Sequence, residues 1–128
     1  MDKETSGALT KSIYKWKQLI LKKTVDSGEV NCPLCRIYNN PALDVDKKCV
    51  GCPIMEFTGK DYCAGTPYVA WSGHHIKVHN KGIDTYHMHN ECKVCLRHAK
   101  AELKFLQSLK EKEKALKEKN FENRKRNN

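Results

Sequence analysis

The chain has 128 residues, of which 39% are hydrophobic and 30% are charged. One domain of this size and polarity buries a small apolar core, so we expect it to need reinforcement beyond apolar packing. No run of about 18 apolar residues is present, which predicts that no helix spans a membrane. No charged segment followed by an apolar one opens the chain, so we expect a cytoplasmic rather than a secreted protein.

The net charge of +9 is concentrated towards the C-terminus, where the last thirty residues carry ten basic and five acidic side chains. Such a surplus favours an anionic partner, most often nucleic acid. A helix rich in Lys and Glu that is kept soluble by its charge would have the same composition. We expect residues 120–128, which contain Arg124, Lys125 and Arg126, to form a disordered basic tail.

The first predicted element is an amphipathic helix over residues 8–27, and Gly28 follows its end. Its apolar side chains repeat at steps of four, three and four residues, which places them on one helix face. They are Leu9, Ile13, Trp16 and Ile20. We expect Trp16 to lie in the core.

A cysteine-rich segment, residues 30–75, follows and shows no sustained helical or alternating pattern. It contains two Cys-x-x-Cys pairs separated by thirteen residues, Cys32/Cys35 and Cys49/Cys52. Two such pairs supply the tetrahedral thiolate set that Zn²⁺ prefers, and four protein ligands leave no position open for a substrate. The segment therefore predicts a single structural zinc ion that stabilises the fold.

Other interpretations of these cysteines remain open. The four thiolates also suit an iron–sulfur cluster. A disulfide framework needs an oxidising compartment, and a thioredoxin-like pair needs a βαβ context, and the sequence indicates neither. Cys63 is a substitute zinc ligand or, as we favour, a small buried side chain.

Residues 76–87 form a predicted loop, and residues 88–119 form a second long helix. Five of the six histidines fall within residues 73–90. The apolar face of the helix contains Leu96, Ala99, Leu103, Leu106 and Leu109. Its start carries a third pair, Cys92/Cys95, followed by His98, which can hold a second zinc ion or leave its thiols in the core. We expect a mainly α-helical domain, residues 1–119, in which the two long helices pack antiparallel around the zinc module with little or no β-sheet.

Four motifs in the cysteine-rich segment resemble a pattern found in small zinc-binding proteins of prokaryotes and bacteriophages that have no assigned function. The motifs are Cys32-Pro33-Leu34-Cys35, Cys49-Val50-Gly51-Cys52-Pro53-Ile54, Thr58-Gly59 and Cys63-Ala64-Gly65-Thr66-Pro67-Tyr68, with Trp71 after them. The resemblance implies a compact cysteine-rich module packed on helices, and a host-cytoplasmic location if the chain is encoded by a phage. It carries over no catalytic residues, and Cys92/Cys95 lies outside the pattern.

A second pattern is similar to that of HNH nucleases, which use a zinc-bound ββα unit. Its residues are Gly73-His74-His75-Ile76, then Asn80, His87 or His89, then Cys92-x-x-Cys95. The similarity implies zinc at Cys49, Cys52, Cys92 and Cys95, with His75 as general base and His74 with His89 or His98 on a catalytic divalent ion. No acidic residue precedes the histidine pair, and the stretch before the cysteines is short, so an enzyme is the less favoured alternative.

The sequence therefore predicts a zinc-stabilised protein, of zinc-finger type, that binds nucleic acid or a protein that processes nucleic acid. The side chains expected to contact phosphates are Lys77, Lys81, Arg97, Lys100, Arg124, Lys125 and Arg126. The aromatic residues Tyr68, Trp71 and Tyr86 could stack on bases; in the alternative that we favour, Tyr68 and Trp71 cover the apolar side of the metal module. A module that binds only protein, for example an inhibitor of a host factor, is the further alternative.

Overall fold

A computed structural model describes residues 1–79 and 86–126 and is mainly α-helical, which confirms the predicted fold class. Five helices run in chain order, and the described residues contain no strand beyond one isolated bridge between Asp26 and Tyr86. None of these helices combines the length and apolarity needed to cross a membrane. The helices are α1 (Lys3–Ile20), α2 (Pro33–Tyr38), α3 (Pro53–Thr58), α4 (Pro67–Lys77) and α5 (Lys93–Arg126).

Helices α1 and α5 pack against each other in antiparallel directions, as predicted. Near the start of α1, the Ser6 hydroxyl donates to Oε2 of Glu113 at 3.3 Å, and Nζ of Lys110 donates to the Ser6 carbonyl at 3.0 Å. Just beyond the end of α1, Nζ of Lys22 donates to Oδ1 of Asn90 at 2.6 Å. The start of α1 thus meets the middle of α5, and its end lies near the residues that precede α5.

Helix α1 begins and ends earlier than the predicted range of 8–27. It starts at Lys3 because the Asp2 carboxylate caps it, accepting a hydrogen bond of 2.7 Å from the Thr5 amide. It ends at Ile20, and Lys22 then adopts a left-handed conformation with φ of 62°. A residue in that conformation turns the chain away from the helix axis.

Helix α5 starts five residues later than predicted and continues to Arg126. Residues 120–126, expected to be a disordered tail, form the last two turns of this helix, and residues 127–128 lie outside the described residues. The extension has a local cause, since residues 110–126 contain no Gly or Pro and are rich in Lys, Arg and Glu, which favour helix. From Lys114 to Lys125 its side chains are exposed, so the end of α5 projects from the body of the protein.

The apolar core lies between α1, α4 and the first half of α5. Trp16 is buried there, as predicted, and its ring meets that of Trp71 edge-on with centroids 5.3 Å apart. Leu34 from α2 and Ile54 from α3 enter the same core, so the cysteine-rich segment packs against the long helices. Tyr86 is fully buried beside them.

Three helices begin directly after a cysteine. Cys32 precedes α2, Cys52 precedes α3, and Cys92 precedes α5. Proline occupies the first position of α2 and α3, where its missing amide hydrogen costs nothing. Helix α3 is capped at its C-terminal end by Gly59 with φ of 72°. The three thiols are therefore held next to the free backbone amides of a first helical turn.

Candidate metal centres

Four potential metal ligands converge where α4 ends and α5 begins. The ligand atoms of His74, His79, Cys92 and Cys95 all lie within 4.8 Å of one another, and we call this group the His/Cys site. Among the described residues, it is the one group of three or more such side chains that meets so closely. The donor set of two imidazoles and two thiols is one that Zn²⁺ takes in structural sites.

The distances within the His/Cys site are close to those of a tetrahedral ion. Nε2 of His74 lies 3.4 Å from Sγ of Cys92, and Nε2 of His79 lies 3.2 Å from Sγ of Cys95. The two Nε2 atoms are 3.1 Å apart. Zinc bonds of ordinary length in tetrahedral geometry place such ligand atoms about 3.3–3.8 Å apart, so these three separations need shifts of only a few tenths of an ångström to admit an ion.

The surroundings of Cys92 and His74 favour the protonation states that bind a metal. Backbone hydrogen bonds from the amides of Cys95 and Val94 hold the pKa of the Cys92 thiol below its ordinary value, against the effect of burial. Burial, followed by the charges of His79 and His75, lowers the pKa of His74. A metal binds the thiolate and the neutral imidazole, so both shifts favour the binding form.

In one of the two interpretations that the sequence leaves open, Cys92, Cys95 and His98 hold a second metal ion. The structure brings the two cysteines together with His74 and His79, while the His98 ring lies beside His74 with centroids 5.6 Å apart and stays outside the group. Sequence analysis missed His79. The available signal was the spacing His74-x4-His79, which falls within the range found for paired histidines in zinc fingers.

The structure gives no support to His75 as a general base. Its ring is fully buried, with Nδ1 2.8 Å from the Trp71 carbonyl oxygen and Nε2 2.9 Å from that of His87. A general base needs a ring nitrogen within reach of a substrate, and both nitrogens of this residue face the backbone. The other histidines of the nuclease pattern lie nearby, His74 as a potential metal ligand and His89 stacked on His79 with centroids 3.6 Å apart.

The remaining five cysteines surround a separate cavity of about 520 Å³, which we call the thiol cavity. All five are free thiols, and they are Cys32, Cys35, Cys49, Cys52 and Cys63. The walls of the cavity also include Lys15 and Trp16 from α1 and Glu102 from α5. The four cysteines predicted to hold zinc and the predicted substitute Cys63 are thus brought to one place, with wider spacing than in the His/Cys site.

Cys32 and Cys35 are joined by hydrogen bonds in the thiol cavity. The Cys35 amide donates to Sγ of Cys32 at 3.4 Å. A hydrogen bond from the Cys35 thiol, opposed by burial and aided by backbone amides, lowers the pKa of Cys32 to about 6. The bond to Cys32 and burial raise the pKa of Cys35. The hydrogen bond thus favours the thiolate form at Cys32 and the protonated form at Cys35.

Glu102 places a carboxyl group in the wall of the same cavity. Its side chain is 3% exposed, and Oε2 has no hydrogen-bond partner among the described residues. Burial, followed by the negative charges of Cys32 and Asp26, raises the pKa of Glu102 to about 8. The cavity thus combines several thiols with a buried carboxyl group.

The cationic residues predicted to contact nucleic acid fall into two groups on the structure. Lys77, at the end of α4, and Arg97 and Lys100, on α5, are exposed near the His/Cys site. Arg124 and Lys125 are exposed about 40 Å further along α5 by helix geometry. Arg126 ends the helix, and Lys81 lies outside the described residues.

The aromatic residues proposed to stack on bases are mostly inaccessible. Trp71 and Tyr86 are fully buried in the core, so neither offers a ring face to a partner. Tyr68 is half-buried and lines the thiol cavity. The interpretation in which these rings cover the metal module therefore agrees with their positions.

Comparison of the chain with protein-family models, with curated protein sequences and with solved structures found no match. The interpretation of the two centres depends on the chain's own residues.

Proposed function

We propose that the protein is a small zinc-stabilised module that binds nucleic acid through an exposed cationic face of α5. The observation that supports this proposal is a row of four exposed cationic side chains at the start of that helix. Three features of the row favour nucleic acid as the partner: its spacing, its lack of acidic partners and its position next to the His/Cys site.

The cationic row follows one face of α5. Its members are spaced at steps of four, three and four residues, so their side chains lie above one another along about 16 Å of helix. No ion pair between described residues involves any of them, which leaves their charges available to a partner. The row consists of Lys93, Arg97, Lys100 and Lys104.

The His/Cys site fixes the start of this row. Lys93 lies in the sequence between the proposed ligands Cys92 and Cys95, and Arg97 lies two residues after Cys95. A zinc ion held there joins the end of α4 to the first turn of α5 and neutralises the two thiolates. Lys77 adds a cation from α4, three residues after His74 on the same side of that helix. The ion in this proposal is structural, since four protein ligands close the site.

Binding by the cationic row has a characteristic dependence on salt. Four phosphate contacts release counterions, so the logarithm of the affinity falls with the logarithm of the salt concentration with a slope of about −3.6 on duplex DNA and about −2.8 on single strands. A contact through apolar side chains would depend little on salt. This difference separates nucleic-acid binding from the protein-binding alternative.

The test measures fluorescence anisotropy of labelled duplex DNA and single-stranded RNA of mixed sequence over a range of salt concentrations. The variant Arg97→Gln/Lys100→Gln removes two charges from the cationic row. The control Lys11→Gln/Lys17→Gln removes two exposed charges from α1 and leaves the same net charge. We expect the α5 variant alone to bind more weakly and to lower the slope by about 2. Equal losses in both variants, or no binding by the wild type, would contradict the proposal.

A further inference from the structure

The outer face of α5 carries opposite charges on its two halves. This face points away from the core, because it lies opposite the helix stripe in which Ala99, Leu106 and Leu109 are buried. Its first half is the cationic row, and its second half carries three exposed glutamates at steps of seven and four residues. No ion pair between described residues involves these glutamates, which we call the acidic half. They are Glu111, Glu118 and Glu122.

The two halves match when a second copy of this face meets the first in the antiparallel direction. The cationic row and the acidic half each extend over about 16 Å of helix, on either side of Gln107 and Ser108. A twofold axis level with the midpoint between these two residues places the acidic half of each copy over the cationic row of the other. Parallel pairing in register would instead place every charge against an identical one.

The individual charges match as well as the two halves do. Side chains at equal distances from the midpoint face each other, and the symmetry makes every such contact twice. Lys100 then faces Ala115, so no two like charges of this face are placed opposite each other. The oppositely charged pairs across the interface are Lys93 with Glu122, Arg97 with Glu118, and Lys104 with Glu111.

The projecting end of α5 supplies the surface for this contact. The side chains from Lys114 to Lys125 are exposed, and Phe121 among them is 66% exposed. In the antiparallel arrangement Phe121 comes level with the first two turns of α5 in the other copy, on the flank where Leu96 is half-buried. An apolar contact therefore borders the charged one.

We propose that the protein self-associates through the outer face of α5 as an antiparallel dimer, in which the acidic half of each copy covers the cationic row of the other. Exposed ion pairs are individually weak and are screened by salt, so this dimer is reversible and forms at high protein concentration and low salt. Its glutamates occupy the positions that the proposed function gives to phosphates. Self-association and nucleic-acid binding therefore compete for the cationic row.

The first test is sedimentation velocity of the full-length protein without nucleic acid, at protein concentrations up to millimolar. We expect a dimer in about 10 mM salt and a monomer in about 1 M salt, where charges are screened within about 3 Å. Arg97→Glu and Glu118→Arg each place like charges opposite each other at two symmetric positions, and each should weaken the dimer at least about tenfold. The combined exchange Arg97→Glu/Glu118→Arg restores opposite charges and should restore the dimer.

The control Lys17→Glu makes the same change of charge as Arg97→Glu at an exposed position on α1, and it should dimerise like the wild type. Because Arg97→Glu lowers the net positive charge, general repulsion between copies does not explain a weaker dimer in that variant. A wild type that stays monomeric at millimolar concentration in low salt would overturn the proposal. A dimer that persists in about 1 M salt, or that both single variants retain, would overturn it as well. None of these results bears on the proposed function, because the monomer also presents the cationic row.

A second measurement locates the contact in the wild type. Zero-length crosslinking with a carbodiimide joins a lysine to a carboxylate that it touches, and peptide mass spectrometry identifies the link. We expect a link between Lys93 and Glu122, which lie about 43 Å apart along one helix and can therefore be joined only between copies. Crosslinked dimers that lack this link and are joined through other faces would overturn the assigned interface.

Discussion

The indole nitrogen of Trp71 donates a hydrogen bond of 3.2 Å to Oδ2 of Asp26, and both side chains are fully buried. The other carboxylate oxygen of Asp26 accepts from Nζ of Lys15 at 2.8 Å and from the Gly28 amide at 3.1 Å. The backbone of Asp26 also pairs with that of Tyr86. Asp26 thus connects α1, α4 and the segment before α5, and it also lines the thiol cavity.

We predict that Asp26→Ala lowers the free energy of unfolding by about 3–5 kcal/mol, because it leaves the Lys15 ammonium group and the Trp71 indole buried without their partner. Urea-induced unfolding followed by tryptophan fluorescence measures the change. Asp46→Ala, at an exposed site, is the control and should stay within about 0.5 kcal/mol of the wild type. A decrease of less than about 1 kcal/mol in Asp26→Ala would show that the buried pair contributes little.

Removal of one ligand from the His/Cys site should distinguish His79 from His98. We predict that His79→Ala loses one zinc ion per chain and destabilises the fold by about 3 kcal/mol or more, a decrease in Tm of roughly 10 °C. His98→Ala should retain the ion, because this side chain lies outside the group of four. Differential scanning fluorimetry and metal analysis of the two variants provide the comparison. Equal zinc loss from both would mean that His98 is a ligand as well.

The sequence predicted the long helices because their apolar residues repeat with the helical period, as Leu9, Trp16 and Leu106 show by their burial in one core. The ends of the helices were predicted less well, since they depend on local details. The Asp2 cap moved the start of α1, and the uninterrupted Lys- and Glu-rich segment carried α5 beyond residue 119. Neither detail alters the hydrophobic pattern on which the prediction depended.

The same limit applies to the two cysteine clusters: the spacing in the sequence reveals the pairs, and the folding of the chain decides which other side chains join them. Each Cys-x-x-Cys pair is visible in the sequence because its two ligands are local. The partners of each pair come from elsewhere in the chain, as His79 does for Cys95, and their choice depends on how α4 packs on α5. Spacing alone therefore identified the pairs and could not assign the remaining ligands.

The ion pairs of Glu113 predict a modest dependence of stability on acid pH. Partial burial raises the pKa of Glu113, but hydrogen bonds from Lys117 and Ser6 and the charge of Lys110 outweigh it, so the net shift is downward from 4.5. The unfolded chain then binds more protons than the folded one near this pH, and stability decreases as the pH falls below 4.5.

We therefore predict that Glu113→Gln is less stable than the wild type by up to about 1 kcal/mol at pH 7 and that the difference disappears in acid. Thermal unfolding of both proteins between pH 7 and pH 3 measures it. Glu118→Gln, at an exposed position on the same helix, should show no such dependence. A difference between wild type and Glu113→Gln that stays constant down to pH 3 would contradict the assignment.

Deletion of residues 120–128 tests whether the projecting end of α5 contributes to binding or to folding. The side chains from Asn120 to Lys125 are exposed, so their removal leaves the core intact, and we predict a Tm within about 2 °C of the wild type. The deletion also removes Arg124 and Lys125 from the end of the helix. If these side chains bind phosphates, the salt slope of nucleic-acid binding should fall by about 1 for each phosphate that the shortened protein no longer binds. Unchanged affinity and slope for both DNA and RNA would restrict the binding surface to the cationic row near the His/Cys site. A large decrease in Tm would show that the last turns of α5 stabilise the fold.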